Sequence, residues 1–243
     1  MPQRLYRKHE PKRKRKCAAG LFKVSEMAAQ LHTLDSRKEW LELRTSMIGG
    51  SDASAVMGMN PYKSNVELYL EKTGQYQPED ISDKPYVKYG IEAEKPLIEL
   101  FKLDYPEYEV VSMPNNAWTN DKYPWAHASL DGWIKDDAGR LGVLEIKTTE
   151  ILRSQQKESW KERVPDNYYI QLIHYLMVTE FDFAILKAQL KFQFDGEVFL
   201  QTRHYKIERE EVEEDIELLI QAEKKFAECV RKKKRPDLIL PEI

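Results

Sequence analysis

Residues 128–149 read ASLDGWIKDDAGRLGVLEIKTT, and this stretch decides the predicted fold. Two apolar runs, each alternating and rich in aromatic or β-branched side chains, flank the turn-like sequence KDDAGR. If the hairpin is centred on Ala138, Asp131 lies directly opposite Glu145, and opposed Cβ atoms are about 5 Å apart. Lys147 is two residues beyond Glu145 and so lies on the same strand face. The sequence therefore predicts a β-hairpin that carries two facing carboxylates and an amine.

Two opposed carboxylates repel each other, and the sequence offers no cation directly between them. A divalent metal ion would resolve this repulsion, and two metal-binding acids beside an amine can activate water against a phosphodiester. The alternative is a surface hairpin with scattered charge, because a D…ExK pattern arises often by chance. The apolar residues Val143, Leu144 and Ile146 favour a buried strand, in which carboxylates need a partner or a metal.

Length and composition limit the class of protein. The chain has 243 residues, which is enough for one domain with a substantial core. No run of about 18 apolar residues predicts a membrane span, and no stretch resembles a signal peptide. Cys17 and Cys229 are far apart, which suits a reducing compartment and excludes a four-cysteine cluster. We therefore expect a cytoplasmic protein, in the host cell if a phage encodes it.

Charge is distributed unevenly along the chain. The formal net charge is −3, yet residues 1–16 hold eight Lys or Arg against one acid, Glu10, so the remainder carries −10. A nucleic-acid partner would therefore have to be bound by local basic patches. We treat residues 1–20 as a basic arm, either a solvated tail or a flexible phosphate contact. Residues 21–243 are expected to form a single domain.

Capping residues and turn signals divide the chain into elements. A helix is predicted in DSRKEWLELR with Asp35 as its cap, and another restarts at Ser51 or Asp52 after Gly49-Gly50. The remaining predictions are a helix at 64–73 with a Ser64–Glu67 capping box, a helix after Gly90, a strand at 108–113, helices at 148–163 and 167–179, a hairpin around Asp195-Gly196 and a long charged helix at 208–233. This order predicts an α/β (α+β) fold with a mixed central sheet flanked by helices.

Two helices carry further candidate residues. Glu94 precedes Leu97, Ile98 and Phe101 on one helical face. It is either a first-turn acid that interacts with the helix dipole or a third metal-site acid. Gln171 and Tyr175 are four residues apart and share a face, either as a bridge to the site or as amphipathic filler.

Four more residues are candidates for binding an anion. Ser129 is two residues before Asp131 and shares its strand face, as does His127, which is predicted to be a half-buried strand histidine. Arg44 precedes a Gly-Gly-Ser helix start, and helix N-termini bind anions. Arg153 lies six residues past Lys147. Taken alone, each arginine is typical of a surface residue.

Together these residues resemble the YqaJ-like viral recombinase family, relatives of the lambda-type phage exonuclease within the PD-(D/E)XK nucleases. The motifs occur in the family's order between Arg44 and Thr179 as RTSMIGGSDASAVMGMNPYKS, GIEAEKPLIELF, ASLDGWI, LEIKTT and QLIHYLMVT. The pattern departs at Leu130, where the family has a proline that shapes the turn into the acid. The resemblance implies a restriction-endonuclease-like core, with residues 21–243 as one nuclease domain.

The resemblance also implies roles for the candidate residues. Asp131, Glu145 and the Ile146 carbonyl would hold Mg²⁺, with Glu94 assisting at a second metal position and Mn²⁺ as a possible substitute. Lys147 would orient or deprotonate the attacking water and stabilise charge in the transition state. Gln171 and Tyr175 would support the site from behind. The residues that would bind the terminal 5′-phosphate are Arg44, Ser51, Ser129 and Arg153.

Family members of this type are 5′→3′ exonucleases on double-stranded DNA and work with a single-strand annealing protein, several as trimeric rings. We therefore expect a Mg²⁺-dependent exonuclease for phage-type recombination that acts on double-stranded DNA ends as a homo-oligomer, such as a ring. An endonuclease or nickase on the same fold is the alternative, and it would not need the phosphate-binding residues. A non-catalytic DNA-binding protein is the third hypothesis. An iron–sulfur nuclease is excluded by the cysteine count.

Overall fold

The structure, a computed structural model, describes residues 28–240. The strands of this stretch are β1 (Ala29–Thr33), β2 (Glu109–Val111), β3 (Asn116–Asn120), β4 (His127–Ala128), β5 (Gly132–Lys135), β6 (Leu141–Ile151), β7 (Phe183–Phe194) and β8 (Glu197–Glu208). Its helices are α1 (Arg37–Ser46), α2 (Gly50–Val56), α3 (Asn65–Lys72), α4 (Pro85–Asp104), α5 (Ser154–Ser159), α6 (Asp166–Thr179) and α7 (Glu213–Arg231). The basic arm and Cys17 lie outside the described residues.

The strands form two sheets. The larger has five strands in the order β2-β5-β6-β7-β8, and the smaller has the order β1-β3-β4. β6 and β7 are parallel, whereas the other neighbours in both sheets are antiparallel. This arrangement confirms the predicted mixed central sheet.

Helices cover both faces of the five-stranded sheet. Because side chains alternate along a strand, Val143 on β6 packs in the cluster that contains α6. Leu144 and Ile146 point the other way and pack against Leu97, Ile98 and Phe101 of α4. The predicted apolar face of α4 is therefore confirmed. β6 lies between the two helices, and it carries the candidate acid and lysine.

The predicted hairpin register is confirmed. Gly132 pairs with Leu144 and Trp133 with Val143, which centres the hairpin on Ala138. Asp136 Oδ1 closes the turn by accepting hydrogen bonds from the Ala138 and Arg140 amides. Asp131 lies one residue before the first paired residue, at the entrance to β5.

Three helix starts differ from the predictions. Ser36, not Asp35, caps α1, and its side chain accepts the Glu39 amide. Gly49 is the N-cap of α2, and Asp52 instead accepts the Gly49 amide from inside the helix. α4 begins at Pro85, so Gly90 lies within the helix. Proline is favoured in the first turn because its missing N–H has no partner there.

The prediction of a helix over 148–163 is wrong for its first part. β6 continues to Ile151 because Thr148–Ile151 pair with Gln189–Phe192 of β7, and the helix α5 is confined to Ser154–Ser159. The predicted strand at 108–113 is shortened to β2. The Ser64–Glu67 capping box, α6, the β7–β8 hairpin and the long charged helix α7 are confirmed.

Among residues 28–240, no helix combines the length and the apolar character that a membrane crossing requires.

Candidate active site

Asp131 and Glu145 meet at the junction of β5 and β6. Asp131 Oδ2 accepts the Ile146 amide at 2.8 Å. The Glu145 side chain is buried, and its Oε1 accepts hydrogen bonds from Lys147 Nζ at 2.5 Å and Gln171 Nε2 at 2.7 Å. Glu145 Oε2 is buried and has no hydrogen-bond partner within the described residues. One carboxylate oxygen is therefore left available for a ligand.

Burial sets the protonation of these acids. Loss of hydration and, after it, the neighbouring charge of Asp131 raise the pKa of Glu145 to about 8, against the opposing effect of Lys147. Loss of hydration also raises the pKa of Asp131, while Lys147 and the Ile146 amide oppose that rise. Ionisation of both carboxyl groups at once is therefore costly unless a cation binds beside them.

Lys147 is the cation of the site. Burial alone would lower its pKa, but Glu145 and Asp131 together hold the pKa above its ordinary value. Its Nζ lies 5.5 Å from the centre of the Tyr168 ring. Lys147 is therefore an ammonium in this arrangement, which suits a group that stabilises negative charge.

Gln171 joins the acid pair to α6. Its Nε2 donates to Glu145 Oε1 and, at 2.8 Å, to the Tyr175 hydroxyl. Both side chains are buried. Gly50 makes this packing possible, because a Cβ there would lie 2.5 Å from Tyr175 Cε1. The side chains of Gln171 and Tyr175 thus both face the acid pair. This agrees with the first of the two interpretations of their spacing, a bridge to the site.

Glu94 belongs to the same electrostatic group. It is half-buried on α4, and loss of hydration together with the Asp131 charge raises its pKa to about 7. Within residues 28–240, no three His, Cys, Asp or Glu side chains lie close enough to form a metal centre by themselves. Glu94 is therefore near the acid pair without completing a three-ligand cluster in this arrangement.

Three of the four residues assigned to phosphate binding gather around Trp40. The Arg44 guanidinium lies 4.3 Å from the Trp40 ring centre, and its Nη2 donates to Ser51 Oγ at 3.3 Å. Trp40 Nε1 donates to Ser129 Oγ at 3.0 Å. Ser129 follows the end of β4, and no strand continues from it to Asp131, so the argument from strand alternation does not apply to it.

Arg153 is not part of this group. It is exposed as the N-cap of α5, and no hydrogen bond or ion pair of the described residues joins its side chain to Arg44, Ser51 or Ser129. Trp40 was missed in the sequence, although its place four residues before Arg44 on α1 was the available signal.

A buried polar network supports the small sheet and was also missed. His174 Nδ1 lies 2.7 Å from Glu223 Oε1, and His174 Nε2 lies 2.8 Å from the His127 carbonyl oxygen. Trp125 Nε1 donates to Glu223 Oε2. His127 itself is 2% exposed, more buried than predicted, and neither ring nitrogen has a partner within the described residues.

The donor set fits a divalent metal ion. The unpartnered Oε2 of Glu145 and the adjacent Asp131 are hard oxygen ligands of the kind Mg²⁺ prefers, and Mg²⁺ keeps several waters when few carboxylates bind it. A metal ion between Asp131 and Glu145 would also lower the pKa of both carboxyl groups, because its positive charge favours their ionised forms.

Similar structures define the fold class. An alkaline exonuclease (LHK-Exo) from Laribacter hongkongensis superposes with a TM-score of 0.54 at 17% identity, over 82% of this chain and 96% of that chain. A phage-related exonuclease from Haemophilus somnus 129PT superposes with a TM-score of 0.51 at 14% identity, over 77% and 96% of the two chains. The chain therefore has the restriction-endonuclease-like fold of these proteins.

The family follows from sequence. The model of the YqaJ-like viral recombinase domain matches residues 39–182, a range that contains every candidate residue from Arg44 to Tyr175. The chain belongs to the YqaJ-like viral recombinase family. The uncharacterized protein YqaJ of Bacillus subtilis (strain 168) is 32% identical over 211 residues, which cover 87% of this chain and 59% of that protein. The match thus spans only about three fifths of that relative's length.

Proposed function

We propose that this protein is a metal-dependent deoxyribonuclease that degrades the 5′-ended strand of linear double-stranded DNA. The observation that carries the proposal is the pair formed by half-buried Asp131 and buried Glu145, whose Oε1 binds Lys147 and whose Oε2 has no hydrogen-bond partner within residues 28–240. The structure of LHK-Exo in complex with dAMP supports a nucleotide ligand for this fold.

The proposed metal ligands are Asp131, Glu145 and the Ile146 carbonyl, with Glu94 at a second position. Mg²⁺ bound there, as two ions or with Mn²⁺ in its place, would polarise the phosphodiester and lower the pKa of a bound water. Gln171 fixes the Glu145 carboxylate through its 2.7 Å hydrogen bond, so the acid keeps its orientation. Lys147 orients the attacking water and stabilises the charge that develops on the phosphate oxygens.

Preference for DNA ends is assigned to the Arg44 group. Arg44 and Arg153 are planar, permanently charged donors suited to a dianionic terminal phosphate, and Ser51 and Ser129 add hydroxyl donors. Arg44 is already positioned by Trp40 and by Ser51. Arg153, exposed at the start of α5, would join the group only when DNA is bound.

The test compares linear duplex with 5′-phosphate and 5′-hydroxyl ends. We expect faster degradation of the phosphorylated duplex, loss of that preference in Arg153→Ala and Arg44→Ala, and survival of closed circular duplex. Arg163→Ala is the control, because Arg163 is an exposed arginine on the same connection. Efficient cutting of closed circles, or indifference to the 5′-phosphate, would instead indicate an endonuclease or nickase.

The proposed setting is phage-type recombination. The protein would act on double-stranded DNA ends in the cytoplasm, as a homo-oligomer such as a ring, and hand the resulting single strand to an annealing protein. Sedimentation of the purified protein tests the oligomer, and a measurement of 5′→3′ polarity on end-labelled duplex tests the direction of degradation.

A further inference from the structure

A basic turn follows α7 and lies outside the site described above. The basic turn is the run Arg231–Arg235, in which all five side chains are exposed. Lys232 pairs with Glu228 at 3.2 Å, whereas no ion pair within residues 28–240 involves Lys233, Lys234 or Arg235. The turn is thus a concentration of positive charge in a chain whose residues after the N-terminal arm are acidic on balance.

The turn has a fixed shape at both of its ends. The Lys233 amide donates to the Val230 carbonyl and the Lys234 amide to the Cys229 carbonyl, which together close α7 with a Schellman motif. Beyond the turn, the buried Asn65 side chain donates to the Asp237 carbonyl at 2.7 Å and accepts the Ile239 amide at 3.0 Å. Binding of a ligand would therefore require little further ordering of the backbone.

Lys233 occupies the position where a glycine is normally found. Its φ of 51° is left-handed, and this place in a Schellman motif favours glycine because any Cβ crowds the neighbouring carbonyl. A lysine at this position costs folding stability. Outliers of this kind concentrate at functional positions. The interaction of cations with the helix dipole is the other explanation, but it acts on the last turn of the helix and does not account for Lys234 and Arg235.

A groove lies between the last turn of α7 and the C-terminal end of α1. It encloses about 550 Å³, and its lining is mostly apolar, with Ile48, Trp125, Phe226 and Val230 beside Lys72, Lys224, Glu228 and Arg231. Lys72 Nζ, in this lining, donates to the Arg44 and Met47 carbonyls at 2.7 and 2.6 Å and pairs with Asp52 at 2.7 Å. The groove therefore runs from the last turn of α7 to the end of the helix that carries Arg44.

We propose that the basic turn Arg231–Arg235 binds the phosphate backbone of duplex DNA outside the catalytic site. This inference rests on the proposed function, because the DNA that the turn would hold is the duplex behind the end that is being cleaved. Phosphates match a row of exposed cations on a fixed backbone, of which Lys233, Lys234 and Arg235 have no ion pair within residues 28–240, and such contacts hold the duplex without reading its sequence.

The experiment measures stability and DNA binding on the same variant. Lys233→Gly should raise the midpoint of chemical unfolding, since glycine relieves the left-handed backbone, and should still weaken binding to blunt-ended duplex. In EDTA, which prevents cleavage, the slope of log K against log salt should fall by about 0.9 for each lost phosphate contact. Lys233→Gly combined with Lys234→Gln and Arg235→Gln should lower it further.

Lys122→Gln is the matched control. Lys122 is an exposed lysine that pairs with Glu180 at 2.6 Å near the end of α6, so the substitution removes the same charge elsewhere. Its binding slope should equal that of the unmodified protein. An unchanged slope in Lys233→Gly, whatever the change in its stability, would overturn the inference, as would equal losses in the control.

Cleavage of linear duplex by the unmodified protein is measured in parallel with Mg²⁺. Cleavage together with an unchanged slope in the turn variants would overturn only the duplex-binding role and leave the turn to an acidic protein partner. A reduced slope in a protein that never cleaves DNA would support the turn and overturn the proposed nuclease activity.

Discussion

At the scale of single residues, the site depends on one carboxylate with two different oxygens. Glu145 Oε1 is bound by Lys147 and Gln171, while Oε2 has no partner within the described residues. The first oxygen fixes the side chain and the second remains for a ligand. The pairing of Asp131 with Glu145 was predictable from the hairpin register alone. The hydrogen bond from Gln171 to Glu145 was not predictable, because it joins two segments that come together only in the folded protein.

Substitution of either acid should reduce DNA cleavage without unfolding the protein. Asp131→Asn and Glu145→Gln should lower DNA cleavage by more than about 100-fold, because a lost carboxylate weakens metal binding. The melting temperature should be kept or raised, since charge crowding is relieved. Lys147→Ala should still bind metal and DNA and cleave very slowly. Asp137→Asn, an exposed acid in the hairpin turn, is the control. Substantial Mg²⁺-dependent cleavage by the Asp131 variant would contradict the assignment.

His127 should make the fold sensitive to acid. Burial lowers its pKa to about 3 from an ordinary value of 6.5. Below pH 6.5 His127 is protonated in the unfolded chain but stays neutral in the folded protein. The folded protein therefore loses stability as the pH falls from 6.5 towards 3. The free energy of unfolding should therefore decline by up to about 1.4 kcal/mol per pH unit from this residue.

The check is denaturant unfolding of His127→Leu over that pH range. Its stability should depend less steeply on pH than that of the unmodified protein, whatever its absolute stability. His32→Leu, at an exposed position, should keep the original slope. Equal slopes in all three proteins would show that His127 does not titrate on unfolding.

At the scale of elements, short sequence signals correctly predicted the helices and turns that form through contacts between neighbouring residues. The capping box of α3, the helix α6 and the Asp195-Gly196 hairpin were all found where their sequence signals lie. The extension of β6 to Ile151 was missed, because it depends on parallel pairing with β7 about 40 residues away. The candidate site shows the same contrast, because the register that opposes Asp131 and Glu145 was predicted from the hairpin, whereas the Trp40 hydrogen bond that joins α1 to Ser129 was not.

The contact between α2 and α6 depends on Gly50. Gly50→Ala places a Cβ 2.5 Å from the Tyr175 ring, so the helices must separate. Overpacking of this kind costs about 1–3 kcal/mol, and cleavage should fall because Gln171, which holds Glu145, also lies 3.0 Å from that Cβ. Urea unfolding and a nuclease assay measure the two effects.

Gly90→Ala provides the comparison within a second helix. Its Cβ would meet only Thr148 Oγ1 at 3.3 Å, and alanine favours a helix interior over glycine by about 1 kcal/mol. Stability should therefore hold or rise. A Gly50 variant as stable and active as the Gly90 variant would show that the α2–α6 approach has room to relax.

At the scale of the whole molecule, positive charge is concentrated at two places in the sequence that lie outside the Asp131–Lys147 segment. The basic turn ends α7, and eight further Lys or Arg stand in residues 1–16, outside the described part of the chain. If residues 1–16 contact phosphates, their deletion should weaken DNA binding and flatten the salt dependence by about 0.9 per lost contact in the log–log slope. Binding isotherms over a salt series give the answer. An unchanged slope would identify the arm as a solvated tail.

β6 belongs both to a short hairpin and to a parallel pair, and this has a consequence for the order of folding. Hairpins close within about 1–10 μs, whereas parallel strands must wait for the crossover between them. Asp131 and Glu145 can therefore approach each other while water still surrounds both. Their dehydration is completed only when the crossover helix α6 docks and brings Gln171 against Glu145. The electrostatic cost of the site is therefore met when α6 docks and not when the hairpin closes.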